Sequence, residues 1–277
     1  MNRRQFLKIA AASAGLLATY PVFIERYLVQ VNHYQIPVPR LPRPFNGFTI
    51  VQLTDLHYGA LAPLSFLRRV IATANSIPRD VIVCTGDYVH KRNDRKQIDT
   101  IWPVLSELNA PLGVYSVLGN HDHWADTDLS LEWLEKSGQN IRNKTHCFEK
   151  EGKKLWIAGG GDYWEDPLDF DHVLRDVPRG DCRIVLAHNP DSADAVFTSQ
   201  VDLMLSGHTH GGQVVVPFYG PPILPVNNKA YSAGLKKSPK GQSVFICRGI
   251  GWAIYPVRLN CFPEIAVLEL VLQGRRI

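Results

Sequence analysis

The residue types that could do chemistry fall in five short clusters: Asp55-Leu56-His57, Gly86-Asp87, Gly119-Asn120-His121-Asp122, His188-Asn189 and Gly207-His208-Thr209-His210-Gly211. They offer carboxylates, amide oxygens and imidazoles, the donors that divalent cations take. His208 and His210 are spaced so that an extended backbone would aim both rings to one side. The flanking glycines allow a turn or a close backbone approach there. One His-x-His pair alone would suit an ordinary surface, and Asp-x-His or Gly-Asp alone would suit a loop or a cap. Five clusters in succession, each closing an apolar run, point instead to a metal centre. The inventory is too large for one tetrahedral zinc. Two cations about 3.5–4 Å apart, bridged by one carboxylate, would use it. With no thiolate in the set, Mn, Fe or Zn is expected rather than Cu(I).

The elements that must position these residues are legible as patterns. Phe48–Thr54, Val81–Cys84, Val114–Leu118, Arg183–Ala187 and Val201–Leu205 are the apolar runs that precede the clusters, and they read as strands. Leu67, Val70, Ile71 and Ala74, then Ile98, Ile101, Trp102, Leu105 and Leu108, recur at helical spacing. Residues 128–137 read as a further helix and residues 145–149 and 154–158 as strands. A β-rich tail contains Val244–Cys247 and Ile265–Leu268. Gly159-Gly160-Gly161 is followed by no helix pattern and is not expected to cradle phosphate. Alternating strands and helices argue for an α/β layered sandwich. Ligands of such sheets collect beyond the carboxyl ends of the strands, so the five clusters, placed on one sheet, would meet at one rim.

Asp-x-His, Gly-Asp, Gly-Asn-His-Asp, a later His and Gly-His-x-His, in that order, resemble the calcineurin-like metallophosphoesterases over residues 46 to 270. The segments Ala187-His188-Asn189-Pro190-Asp191, Gly207–Gln213, Arg248-Gly249-Ile250-Gly251 and Arg258-Leu259-Asn260-Cys261 are similar to those of a bacterial phosphodiesterase subgroup. That subgroup is linked to UDP-2,3-diacylglucosamine pyrophosphatase activity in lipid A biosynthesis. The resemblance implies a single-domain, four-layer αββα sandwich over residues 47–277. It also implies that Asp55, His57, Asp87 and His210 hold one metal ion. Asp87 would bridge to a second, completed by Asn120, His188 and His208. His121 would contact the scissile phosphate and assist the leaving group, with Asp122 orienting it. The reaction implied is hydrolysis of a phosphodiester or pyrophosphate bond by a water that the two metals activate. Two divalent cations, two carboxylates and a hydroxide leave about +1, which suits a phosphodiester better than a dianionic monoester. A phosphomonoesterase, a nuclease and a non-catalytic exported binding protein are the alternatives on this scaffold.

Composition narrows the rest. The formal charge is +4, but Arg3, Arg4, Lys8 and Arg26 against Glu25 put +3 in residues 1–30 and leave +1 for the body. No basic stripe with interleaved aromatics stands out, so nucleic acid is not an expected partner. Arg-Arg-x-Phe-Leu-Lys at residues 3–8, ahead of the 16-residue apolar run Ile9–Ile24, resembles a twin-arginine leader. Export by that route would deliver a folded, metal-loaded protein to the periplasm or the outer face of the cytoplasmic membrane. The small-x-small site Ala12-Ser13-Ala14 lies too early in the run for usual cleavage, so residues 1–30 read as an export signal or as a segment that persists as a membrane tether. Residues 31–46, with four prolines, read as an extended connector. The five cysteines form no Cys-x-x-Cys; Cys247 and Cys261 could pair in an oxidising compartment. His33, His90, His123, His146 and His172 lie outside the pattern and are expected to be structural or surface residues. Trp124, Tyr163, Trp164, Tyr219, Trp252 and Tyr255 sit in loop-like stretches, either packing loops or forming an apolar rim for acyl chains or a membrane surface.

Overall fold

The computed structural model describes residues 1–59 and 62–274, apart from the side chains of residues 7, 9–14 and 16–18. Helix α1 (Arg3–Phe23) and a 3-10 turn (Glu25–Tyr27) lead into β1 (Gln30–Val38), then β2 (Thr49–Leu53), α2 (Leu64–Ser76), β3 (Val81–Cys84), α3 (Arg95–Leu105), β4 (Val114–Ser116) and α4 (Asn120–Lys136). The second half runs β5 (Thr145–Lys150), β6 (Lys153–Gly159), α5 (Phe170–Val173), β7 (Cys182–Leu186), β8 (Leu203–Ser206), β9 (Gly234–Lys237), β10 (Ser243–Ile246) and β11 (Glu264–Leu272). Among the described residues, no helix is long and apolar enough to cross a membrane.

Two mixed sheets result, in the orders β1-β11-β2-β3-β4 and β5-β6-β7-β8-β10-β9. Strands β2, β3 and β4 are parallel to one another, as are β6, β7, β8 and β10. The two-residue side-chain period sorts each strand between two cores. Ile50, Val81 and Val83 face the second sheet and pack with Ile184, Leu186, Leu205 and Phe245. Val51, Leu53, Ile82 and Cys84 face the other way, onto Leu67, Val70 and Ile71 of α2 and Ile98, Ile101 and Trp102 of α3. The outer face of the second sheet is covered by α5 and loops, through Phe170, Val173 and Tyr231. The layers are therefore helix, sheet, sheet, and a thinner cover of one short helix and loops.

Two expectations need correction. Residues 30–38 are not a free connector: β1 pairs in register with β11 along its whole length, Gln30 with Glu264 through Val38 with Leu272. Proline at position 37 is tolerated because β1 is an edge strand, where a missing N–H breaks no inner ladder. The helix expected at 128–137 begins eight residues earlier, at Asn120, with a kink at Asp126. Its first turn carries Asn120, His121 and Asp122, whose polar side chains hide the helical period. Cys247 and Cys261 remain free thiols, bonded to the carbonyls of Glu264 and His210.

Candidate active site

The five clusters meet, but not on one sheet. Asp55, Asp87 and Asn120 follow β2, β3 and β4 of the first sheet; His188, His208 and His210 follow β7 and β8 of the second. The rim they share lies where the carboxyl ends of the inner strands of both sheets come together. Space there is tight. A β-carbon on Gly207 would collide with Thr54 and Asp55, and one on Gly119 with Asp87 and His188. Asp55, His57, Asp87, His208 and His210 all sit in the left-handed backbone region, with φ between 46° and 68°. Non-glycine residues held there cost free energy that surrounding structure must offset, and such strain gathers at functional sites.

Among the described residues, three groups of side chains bring their donor atoms within 4.8 Å of one another: Asp55, His57 and His210; Asp87, His188 and His208; and His57, His90 and His121. In the first, His57 Nε2 lies 3.0 Å from His210 Nε2, and Asp55 Oδ1 lies 3.2 Å from the same His210 nitrogen. In the second, His188 Nε2 lies 3.1 Å from His208 Nδ1 and 3.2 Å from Asp87 Oδ2. That same Asp87 oxygen is 3.5 Å from His57 Nε2, so one oxygen stands between the two groups. His188 Nδ1–H donates to the Thr85 carbonyl at 2.7 Å and His208 Nε2–H to the Pro225 carbonyl at 3.0 Å. Those acceptor-only partners fix the tautomers and leave the two inward nitrogens as facing lone pairs. Facing lone pairs repel unless a proton or a cation lies between them. Two metal–nitrogen bonds of about 2.1 Å at a right angle would span about 3.0 Å, close to both separations.

Unmatched polar atoms point the same way. Asp55 Oδ1 and Asn120 Oδ1 are buried with no hydrogen-bond partner among the described residues, a costly state that a cation would relieve. Burial keeps His57 and His210 well below the usual imidazole range and lowers His208 to about 3, so all three offer neutral rings. His188 goes the other way. Against the effect of its burial, Asp87 and Asp55 raise it to about 10, so without a cation it holds a proton where one would sit. Asp87, although burial raises it, is held well below the usual carboxylate range by His188 and His121, while burial pushes Asp55 up to about 6. The donor set therefore fits metal ions: Asp55, His57 and His210 could hold one, and Asp87, His188 and His208 with the Asn120 amide oxygen another.

His121 is half-buried beside this cluster, its ring 4.5 Å from that of His57. Its Nδ1–H donates to the His90 carbonyl at 2.7 Å, which leaves Nε2 free. The expected orienting contact from Asp122 is not what the structure has. The Asp122 carboxylate accepts from the backbone N–H groups of Asp87 (2.8 Å), Tyr88 (2.9 Å) and Gly119 (2.9 Å). It ties the loop after β3 to the start of α4, and it touches His121 only through the chain. Residue spacing could not separate the two arrangements, because both place a carboxylate next to His121 in sequence.

Other residues join the site without having been singled out for it. His90, expected to be structural, orients His121 through its carbonyl and packs its ring against His57 and His121. Its place three residues beyond Asp87, on the same loop, was the available signal. Arg258 is fully buried; its guanidinium bonds the carbonyls of Arg248, Gly249 and Gly251 and reaches His210 Nδ1 at 3.4 Å. Trp124 lies against His121, and the half-exposed Trp164 lies edge-on to His208, so these two indoles wall the mouth. Trp252 does not: it is buried under Tyr27 and Arg26.

Comparison with known proteins fits this geometry. Residues 48–212 match the calcineurin-like phosphoesterase family model. The chain is 34% identical to the uncharacterized metallophosphoesterase YkuE of Bacillus subtilis, covering 98% of each chain. It is 33% identical to the phosphodiesterase YaeI of Escherichia coli, over 98% of this chain and all of that one. It is 24% identical to the UDP-2,3-diacylglucosamine pyrophosphatase LpxG of Chlamydia trachomatis, over 90% of this chain and 92% of the other. With metal-competent carboxylates and imidazoles gathered at the strand ends and the family model spanning the strands that carry them, the chain belongs to the calcineurin-like phosphoesterases and is a metal-dependent phosphoric ester hydrolase.

Proposed function

We propose that this protein hydrolyses a phosphodiester or pyrophosphate bond at a centre of two divalent cations, Mn, Fe or Zn. One would be held by Asp55, His57, Asp87 and His210, the other by Asp87, Asn120, His188 and His208. The observation that carries this reading is the single Asp87 oxygen standing between two pairs of facing imidazole nitrogens. When bound, such cations supply positive charge to the phosphoryl oxygens and make water acidic enough to act as a nucleophile near neutral pH. The chain's own residues do the remainder. His121, its Nδ1–H fixed on the His90 carbonyl, presents Nε2 for a proton transfer to the departing oxygen. Asp122 holds the Asp87 loop against the first turn of α4, and Arg258 holds the loop behind His210. Trp124 and Trp164 exclude water from one side of the mouth and offer apolar surface to the organic part of the substrate.

A lipid-linked substrate such as UDP-2,3-diacylglucosamine, as in lipid A synthesis, is our reading of the finer specificity. The LpxG relationship and the apolar wall support it. A nuclease is disfavoured by a body charge of only +1. We propose further that the leader directs twin-arginine export and stays as a tether on the outer face of the cytoplasmic membrane. The direct experiment assays metal-reconstituted protein against a simple phosphodiester, a phosphomonoester and a UDP-linked diacyl sugar. Turnover of the diester and the UDP-linked sugar well above the monoester is expected; preference for the monoester would overturn the assignment.

A further inference from the structure

Two loops beside the site carry bulky apolar side chains that nothing among the described residues covers. Phe218 is fully exposed and Ile254 is 81% exposed; both have left-handed backbones, with φ of 66° and 59°. For a β-branched residue that conformation is a genuine outlier, and for phenylalanine it is uncommon. Each position therefore bears backbone strain and also leaves a large apolar side chain in water. Tyr219 and Tyr255, next in sequence, are exposed as well. A protein selected only for stability would place a glycine or an asparagine at such turns.

The two loops are neighbours. Gln213 and Ala253 exchange hydrogen bonds of 3.0 and 2.6 Å, and Val215 N–H donates to the Leu259 carbonyl at 2.9 Å. The end of α1 docks on the same ground. Arg258 N–H donates to the Pro21 carbonyl, Arg26 to the Pro256 carbonyl, and the buried Glu25 carboxylate accepts from Cys261 N–H. Phe23, in the last turn of α1, is exposed at that junction. The apolar run Ile9–Ile24, preceded by Arg3, Arg4 and Lys8, thus ends beside the loops that carry Phe218 and Ile254. The face also borders the candidate metal centre: the Pro225 carbonyl receives His208, and Gly251 N–H donates to the Asp55 carbonyl.

We infer that loops 214–224 and 252–256, with the end of α1, form a lipid-docking face that inserts Phe218 and Ile254 into the interfacial region of an anionic bilayer. Apolar tips continuous with a segment that is basic at its start and apolar thereafter match what a membrane surface binds. Docking there sets the mouth of the metal centre at the depth of lipid phosphates. This deepens the tether proposed above and rests on it only for placing the protein at a membrane.

The test uses the full chain with Cys147→Ser, since the other four cysteines are buried. An environment-sensitive fluorophore is attached after Phe218→Cys, Ile254→Cys or, as the control, Leu112→Cys, which precedes β4 at the amino ends of the strands. On phosphatidylglycerol and phosphatidylethanolamine vesicles, quenching by aqueous iodide should fall about fivefold or more at positions 218 and 254 and stay unchanged at 112. If the protein pellets with vesicles while positions 218 and 254 quench as freely as 112, the tether stands and the docking face is refuted. If the full chain binds no vesicles, both fall, and the catalytic assignment is untouched.

Discussion

Replacing Asp122 by asparagine separates two roles that sequence reasoning could not distinguish. The wild-type Oδ2 accepts from Asp87 and Gly119 N–H, and Oδ1 from Tyr88 N–H and, weakly at 3.4 Å, from Val89 N–H. An amide has one acceptor oxygen. At best it keeps the Asp87 and Gly119 bonds and turns its NH2 toward the Tyr88 N–H, so two buried donors face each other without an acceptor. A buried polar group left unpaired costs about 1–3 kcal/mol, so Asp122→Asn should destabilise the fold by about 2–6 kcal/mol. That is a large share of the roughly 5–15 kcal/mol that holds a domain together. Because the lost bonds fix the Asp87 loop, metal content should fall with stability. In ion-free protein burial and the neighbouring Asp87 charge push Asp122 up to about 7, which offsets part of that loss once the carboxylate ionises. Denaturant titration therefore belongs on metal-reconstituted protein at pH 8, where cations would neutralise Asp87, with metal content measured by mass spectrometry. If the variant matches wild type in stability and metal content yet turns over slowly, Asp122 acts on His121 and the positioning role is wrong.

Further outcomes follow from the same geometry. His121→Ala should keep both ions, because the ring is outside the two ligand groups, and should slow turnover by ~10²–10⁴; a parallel loss of metal would contradict its role. Metal binding near pH 8 should release about one proton per chain from His188, whose ion-free ring is raised to about 10. Apparent affinity should then climb with pH, up to about tenfold per unit below 10. Calorimetry in buffers of different ionisation enthalpy reads the proton, and no release would refute the protonated His188. Stability carries the linked sign: a raised imidazole favours the ion-free fold below about 6.5, and that contribution fades as pH rises through about 10.

Much of the site was legible because donor type and position coincide. Each cluster follows an apolar strand, and carboxyl ends of parallel strands are where such residues converge, so seven candidate ligands could be read from spacing and family resemblance. That the strands divide between two sheets was not readable from apolar runs, since a strand buried on both faces looks the same in either sheet. The role of the His90 carbonyl was invisible because a backbone acceptor leaves no trace in residue type. Arg258 stands out in the sequence only as part of a motif; its contact with His210 depends on a fold-back of 48 residues that no local pattern reports. The β1 strand was hidden by its prolines, which mark an edge strand as readily as a linker. Trp252 and Trp164 looked alike in sequence, and only packing makes one buried and the other half-exposed.

The central claim is that one Asp87 oxygen joins two metal ions. Anomalous diffraction from crystals of the metal-reconstituted protein tests it directly. Two peaks per chain are expected, one beside His57 and His210 and one beside His188 and His208, with Asp87 between them. A single peak, or two peaks of which only one contacts Asp87, would contradict it.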